Sequence, residues 1–245
     1  VGLTHARVGL FGGTFDPPHV GHRVLVRSAA LALKLDLVRL IPSGQPWQKT
    51  TVATSAVDRL QMLRAAVLDM SPRPDETWQI AVDDRETRRV GPTFTVETLK
   101  ELRAEVGPAT QLVWLMGADQ FANLPTWHRW RELLDVTHLA VTARGPEGLT
   151  ELPAEMQALL TAHGRDALPE PIPRGADSTD GANSAGGAGG IQNPGYACGS
   201  IVLFRMPAVP ISSTALRRQL QAGDRPRELL SDGVIDLIDR LGLYR

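Results

Sequence analysis

One short stretch, Gly12-Gly13-Thr14-Phe15-Asp16-Pro17-Pro18-His19-Val20-Gly21-His22, combines a glycine pair, a carboxylate and two histidines. Glycines at a strand end let backbone approach a phosphate closely. A helix starting after them adds free N–H groups and the positive end of its dipole. The stretch therefore reads as an anion site built from backbone. Its spacing is neither that of a Walker P-loop nor G-x-G-x-x-G, so neither a kinase-type nor a dinucleotide fingerprint is present. His19 and His22 stand three apart, on one side of a first helical turn. Three readings of the pair stay open on local context: phosphate-facing donors, structural caps, or zinc ligands. The zinc reading lacks a third ligand, because His5, His128, His138 and His163 fall at no metal-binding spacing.

A second stretch, Ile211-Ser212-Ser213-Thr214-Ala215-Leu216-Arg217, lies near the other end of the chain. Hydroxyls at a helix start cap its N–H groups, and an arginine one turn later can offer a phosphate its planar fork of donors. Taken alone, the plainer reading is an ordinary N-cap followed by a solvated arginine.

The elements that must position these residues alternate. Arg7 to Phe11 is a β-branched and apolar run that stops at the glycines, and Val20 to Leu33 has the apolar face of a helix. Strands follow at Leu37 to Ile41, Trp78 to Val82, Gln111 to Met116, Leu139 to Thr142 and Ser200 to Met206. Helices are predicted over Ala56 to Met70 with Ser55 as N-cap, over Thr95 to Val106, over Trp127 to Leu134, from Ser213, and over Gly233 to Leu241. Strands too apolar to have a wet face, alternating with helices, imply a Rossmann-like, doubly wound parallel α/β sheet in a single domain with C-terminal helices. Such sheets bind ligands beyond the carboxyl ends of their strands, where Gly12 to His22, Pro42 to Lys49 and Gly117 to Asp119 fall.

The 245 residues are 42% hydrophobic, enough for a sizeable core. With 26 basic and 27 acidic side chains the net charge is -1, so no global field favours nucleic acid or an anionic membrane. The most apolar window, Val24 to Ile41, is interrupted by Arg27, Lys34, Asp36 and Arg39 and spans no bilayer. The start lacks the order of a secretory signal, and the lone Cys198 fits a reducing compartment; together these point to a soluble cytoplasmic protein. From 164 to 199 small and polar residues dominate around Gly186-Gly187-Ala188-Gly189-Gly190, which predicts a flexible surface insertion.

Together, the two motifs resemble the signatures of the H-x-G-H nucleotidyltransferase superfamily, and within it the chain is similar to the bacterial nicotinate-nucleotide adenylyltransferases. The narrower resemblance rests on Gly91-Pro92-Thr93-Phe94-Thr95, Met116-Gly117-Ala118-Asp119, Leu124-Pro125-Thr126-Trp127 and the closing Gly242-Leu243-Tyr244-Arg245. It covers about Arg7 to Arg144 and Ser200 to the end. The resemblance implies adenylyl transfer from ATP, with its Mg2+, to nicotinate mononucleotide, giving deamido-NAD and pyrophosphate in NAD biosynthesis.

By matching position, the resemblance places Gly12, Gly13, Thr14 and Phe15 along the nucleotide cleft and His19 and His22 on the ATP phosphates. Ser212, Ser213 and Arg217 would hold the departing pyrophosphate, with His19, His22 and Arg217 as the catalytic set. Gly117 and Asp119 would lie beside the ribose groups. Thr93, Phe94, Thr95 and Trp127 would hold the pyridine ring, and Lys49 and Arg144 would face substrate phosphate. Two positions depart from the family pattern: Gln48 stands where a loop histidine is common, and Phe94 where tyrosine is common. Pantetheine-phosphate adenylyltransferase, or a silent nucleotide-binding module, are the alternatives that share both motifs.

Overall fold

The computed structural model of the chain describes residues 6–46, 54–144, 149, 152–171 and 197–245. Arg7–Gly13 forms strand β1 and Val20–Ala32 helix α1. Next come β2 (Leu37–Pro42), the two-residue β3 (Gln45–Pro46) and α2 (Ala56–Met70), whose N-cap Ser55 accepts the N–H of Asp58 as predicted. β4 (Gln79–Val82), a 3-10 turn at Glu86–Arg88 and β5 (Pro92–Thr93) lead into α3 (Thr95–Val106). Gly107 ends α3 with a φ of 76°, a conformation that costs glycine little. Then follow β6 (Gln111–Gly117), α4 (Ala118–Ala122), β7 (His138–Arg144) and α5 (Ala154–His163). β8 (Gly164–Arg165), β9 (Ile201–Met206), α6 (Ser213–Gln221) and α7 (Asp232–Leu241) complete the order.

Seven strands form one parallel sheet in the order β4-β2-β1-β6-β7-β9-β8. Alternate residues of each strand enter different cores. Val38, Leu40, Val113 and Leu115 join residues of α1, α2, α6 and α7 on one face. Leu37, Ile41, Leu112 and Met116 join α3, α4 and α5 on the other. Both faces are therefore covered, as the unbroken apolar strands predict. The order reverses between β1 and β6, and a crevice opens beyond their carboxyl ends. Among the described residues no helix is long and apolar enough to cross a membrane.

Two expectations are corrected. The helix predicted over Trp127 to Leu134 is instead a pair of 3-10 turns, Leu124–Thr126 and Trp130–Asp135, separated by Arg129 in a left-handed conformation with φ of 51°. A left-handed residue in mid-segment breaks a continuous α-helix whatever its apolar spacing.

The segment 164–199 is also folded at both ends. Gly164 and Arg165 add β8 to the sheet edge, and Leu168 is buried in the core. The Pro169 carbonyl accepts bonds from the buried Arg7 guanidinium (2.8 Å) and from Gln111 (2.9 Å). Ala197 and Cys198 are buried too, and the Cys198 thiol donates to the Asp135 carbonyl at 3.0 Å. Composition averaged over the whole segment hides these few anchoring groups. Residues 172–196 lie outside the described residues.

Replacing 166–171 by glycine and serine removes the buried Leu168 and loosens the backbone that presents the Pro169 carbonyl to Arg7. We expect this to lower stability by about 3 kcal/mol, read as a lower urea midpoint. An unchanged midpoint would contradict the packing described.

Candidate active site

The crevice beyond β1 and β6 is a cleft of about 520 Å³. Its walls include Gly12, Gly13, Thr14, Phe15, His19 and His22 from the first motif and Ser212, Ser213 and Arg217 from the second. Gly117, Asp119, Thr93, Thr95 and Trp127 line it as well. Thus almost every residue singled out in the sequence meets at one place. Lys49 lies outside the described residues, as do Gln48 and the side chain of Arg144; the Arg144 backbone is the last residue of β7.

The glycines serve packing as much as anion approach. A Cβ on Gly12 would stand 2.3 Å from the indole of Trp114 beneath it. Phe15 holds a left-handed φ of 51° and is almost fully buried. Its ring meets Phe11 edge-on at 5.6 Å and His22 at 5.0 Å, so it props His22 from the core side.

His19 and His22 stack with ring centroids 3.8 Å apart. The His19 N–H donates to Nδ1 of His22 at 3.0 Å. A backbone N–H can only donate, so Nδ1 accepts and the neutral His22 ring carries its proton on Nε2. The capping reading of this pair is therefore realised, with Nδ1 of His22 holding the start of α1, and both residues also line the cleft. Nε2 of His19 lies 3.2 Å from Oγ of Ser213 and joins the two motifs directly.

In the second motif, Ser212 is an N-cap whose Oγ accepts the Ala215 N–H at 3.2 Å. Arg217 is half-buried and held by the chain. It donates to the Asp16 carbonyl at 2.9 Å and to the Thr214 hydroxyl at 3.3 Å. The Asp16 carboxylate, itself buried, accepts the hydroxyls of Thr54 (2.8 Å) and Tyr244 (2.6 Å). Beside it the fully buried Arg59 donates to the carbonyls of Thr14 and Gly44, each at 2.8 Å. Burial pulls the Arg59 guanidinium below its usual value while nearby Asp16 works against that. Burial and the Asp16 bond push the Tyr244 phenol well up, so it stays a donor.

Opposite these groups, the N-terminus of α3 faces the cleft through Thr93 and Thr95. Phe94 is the extended N-cap of α3, and its ring turns to His128 at 4.4 Å instead of lining the cleft. What Phe94 contributes is backbone shape, which explains how phenylalanine can stand where tyrosine is common. A Cβ on Gly117 would meet the Asp119 carboxylate at 2.5 Å, so this glycine lets the acid fold back over the end of β6. Ser43 Oγ, Trp114 Nε1, Trp127 Nε1 and Thr142 Oγ1 are buried along the cleft without hydrogen-bond partners among the described residues. Orphaned polar groups gathered on one surface are what a polar ligand would satisfy.

Arg59 and Glu86 were not anticipated from sequence. Arg59 carries a signal: it falls in register with Met62, Leu63 and Ala66 on the apolar stripe of α2, where a cation needs buried acceptors. Glu86 sits in a polar run with no such mark.

The fold and cleft define a nucleotidyltransferase: the sequence profile of the cytidylyltransferase-like family matches residues 10–219, and the chain belongs to that family. A probable nicotinate-nucleotide adenylyltransferase of Pseudomonas fluorescens is 38% identical over 239 residues, covering 98% of this chain and 97% of that protein. Its counterpart in Dechloromonas aromatica is 38% identical over 240 residues, with 97% of each covered. Within the family, the chain therefore falls among the nicotinate-nucleotide adenylyltransferases. The fold is shared with the nicotinic acid mononucleotide adenylyltransferase of Plasmodium falciparum in complex with NaAD, at a TM-score of 0.65, 15% identity and 98% coverage of both chains.

Tyr244→Phe leaves a buried carboxylate short of one donor and should cost about 1 to 3 kcal/mol. Denaturant unfolding of the variant checks this, and an unaltered midpoint would show that Tyr244 is not holding Asp16.

Proposed function

We propose that the cleft joins the 5'-phosphate of nicotinate mononucleotide to the α-phosphorus of ATP, giving deamido-NAD and pyrophosphate. The observation that carries this reading is the 3.2 Å contact between His19 and Ser213, which makes one anion-binding surface of two distant motifs. In an in-line displacement, a phosphate oxygen of the mononucleotide forms the new P–O bond as the bond to the β-phosphate breaks. No covalent enzyme intermediate is needed. ATP enters as its magnesium complex.

Bringing two polyanions together is the physical obstacle. Each like-charge pair near 4 Å costs about 4 kcal/mol at an effective dielectric of 20. The protein answers with fixed donors: the amino end of α1, Nε2–H of His22, the capped start of α6 and the free part of the Arg217 fork. Because their partners already hold them, they need little reorganisation as charge moves toward the leaving pyrophosphate. Asp119 lines the cleft, and its carboxylate would accept ribose hydroxyls. Trp127 offers a face for the pyridine ring, and the first N–H groups of α3, which have no partner within the helix, suit the ring carboxylate.

Two measurements test this reading. Purified protein given ATP, magnesium and nicotinate mononucleotide should release pyrophosphate, with kcat/KM about 100-fold or more above that for nicotinamide mononucleotide. Comparable values for acid and amide would overturn the assignment of the pyridine pocket, and release only with phosphopantetheine would overturn the substrate. His22→Ala should lower kcat about 100-fold while costing about 1 kcal/mol of stability through the lost cap. If stability collapsed while kcat of the folded fraction held, His22 would be a cap and nothing more.

A further inference from the structure

The 3-10 turn at Glu86–Arg88 is fastened to its surroundings from both sides. Arg85 forms a bidentate pair with Asp83 (2.8 and 2.7 Å) and reaches Glu105 of α3 at 2.7 Å. Arg89 donates to the Thr98 hydroxyl at 2.7 Å and pairs with Glu101. Across the turn, Gly44 approaches so closely that a Cβ there would lie 2.1 Å from the Glu86 carbonyl. These fastenings hold the Glu86 side chain in the cleft wall with Thr93 and Thr95, at 6% exposure.

Its carboxyl group accepts the Thr98 hydroxyl at 2.6 Å and lies beside that of Thr93, and no cation is paired with it among the described residues. The charges acting on it are Arg89 and Asp83, which work in opposite directions. Burial is the largest influence and pushes the Glu86 carboxyl above its usual range. Burial disfavours the charged form of a carboxyl that has no cation paired with it.

We propose that Glu86 is a specificity-determining residue at the pyridine end of the cleft, whose carboxyl group accommodates the substrate carboxylate only while it carries its own proton. The inference rests on the pyridine pocket assigned under Proposed function. Protonated, Glu86 adds no repulsion and can donate a hydrogen bond; ionised, it sets a second negative charge beside the first. The sign follows from the raised ionisation: preference for the acid substrate is full at low pH and declines as pH rises through the Glu86 ionisation. Glu86→Gln keeps the shape and an acceptor for Thr98 but cannot ionise.

The experiment measures kcat/KM for nicotinate mononucleotide, with saturating magnesium ATP, for wild type and Glu86→Gln across about pH 5 to 9. Dividing one profile by the other cancels titration of the substrate phosphate and of groups common to both proteins. The wild-type to variant ratio should fall about tenfold across the range. A constant ratio would overturn the proposal. If the variant does not fold, the acid-to-amide ratio of the wild type serves instead: it should fall with pH, and a flat ratio overturns the proposal. Absence of turnover of nicotinate mononucleotide by the wild type at every pH would overturn the function itself, an outcome distinct from a flat ratio.

Discussion

Asp16 is the point at which distant parts of the chain are held in one arrangement. Its carboxylate takes the hydroxyls of Thr54, just ahead of α2, and Tyr244, one residue from the end. Its carbonyl takes the Arg217 guanidinium from α6. A buried carboxylate is costly unless its lone pairs are filled, so each of these elements must be in place before the others are satisfied. The loop between β1 and α1 is thereby fixed against α2, α6 and the carboxyl terminus together, and Arg59 secures the same loop through the Thr14 carbonyl.

That constraint explains why the candidate site and the core share residues so closely here. Gly12 accommodates Trp114, Phe15 props His22, and His22 caps α1 while keeping a donor. A donor held from several directions is preorganised, which is what electrostatic stabilisation of a transferring phosphoryl group requires. The parallel sheet supplies the rest: reversal of strand order between β1 and β6 opens a crevice, and the amino ends of α1, α3 and α6 all border it.

Much of this was legible in the sequence, for identifiable reasons. The limits of α2 and α3 follow from Ser55 and Gly107, residues whose local chemistry fixes a helix end regardless of the fold around them. The two cleft motifs were readable because each sits at a strand-to-helix or loop-to-helix junction. What escaped depends on contacts between remote residues. Nothing local marks Arg129 as left-handed, Leu168 as core, or Glu86 as a buried acid, since each is set by groups from elsewhere in the chain. The apolar spacing of Trp127 to Leu134 fits a helix equally well, and tertiary packing decided for two short turns. Arg217 shows the same effect at the site, where the carbonyl that binds it comes from the opposite end of the sequence.

The central claim is that the two motifs act as one phosphate site rather than as two independent ones. A double-mutant cycle on kcat/KM, using His19→Ala, Arg217→Ala and the double variant, measures this directly. Residues acting on one charge-transfer event should couple by more than about 1 kcal/mol, with the double variant little worse than the more damaging single one. Effects that add to within about 0.5 kcal/mol would contradict a shared site.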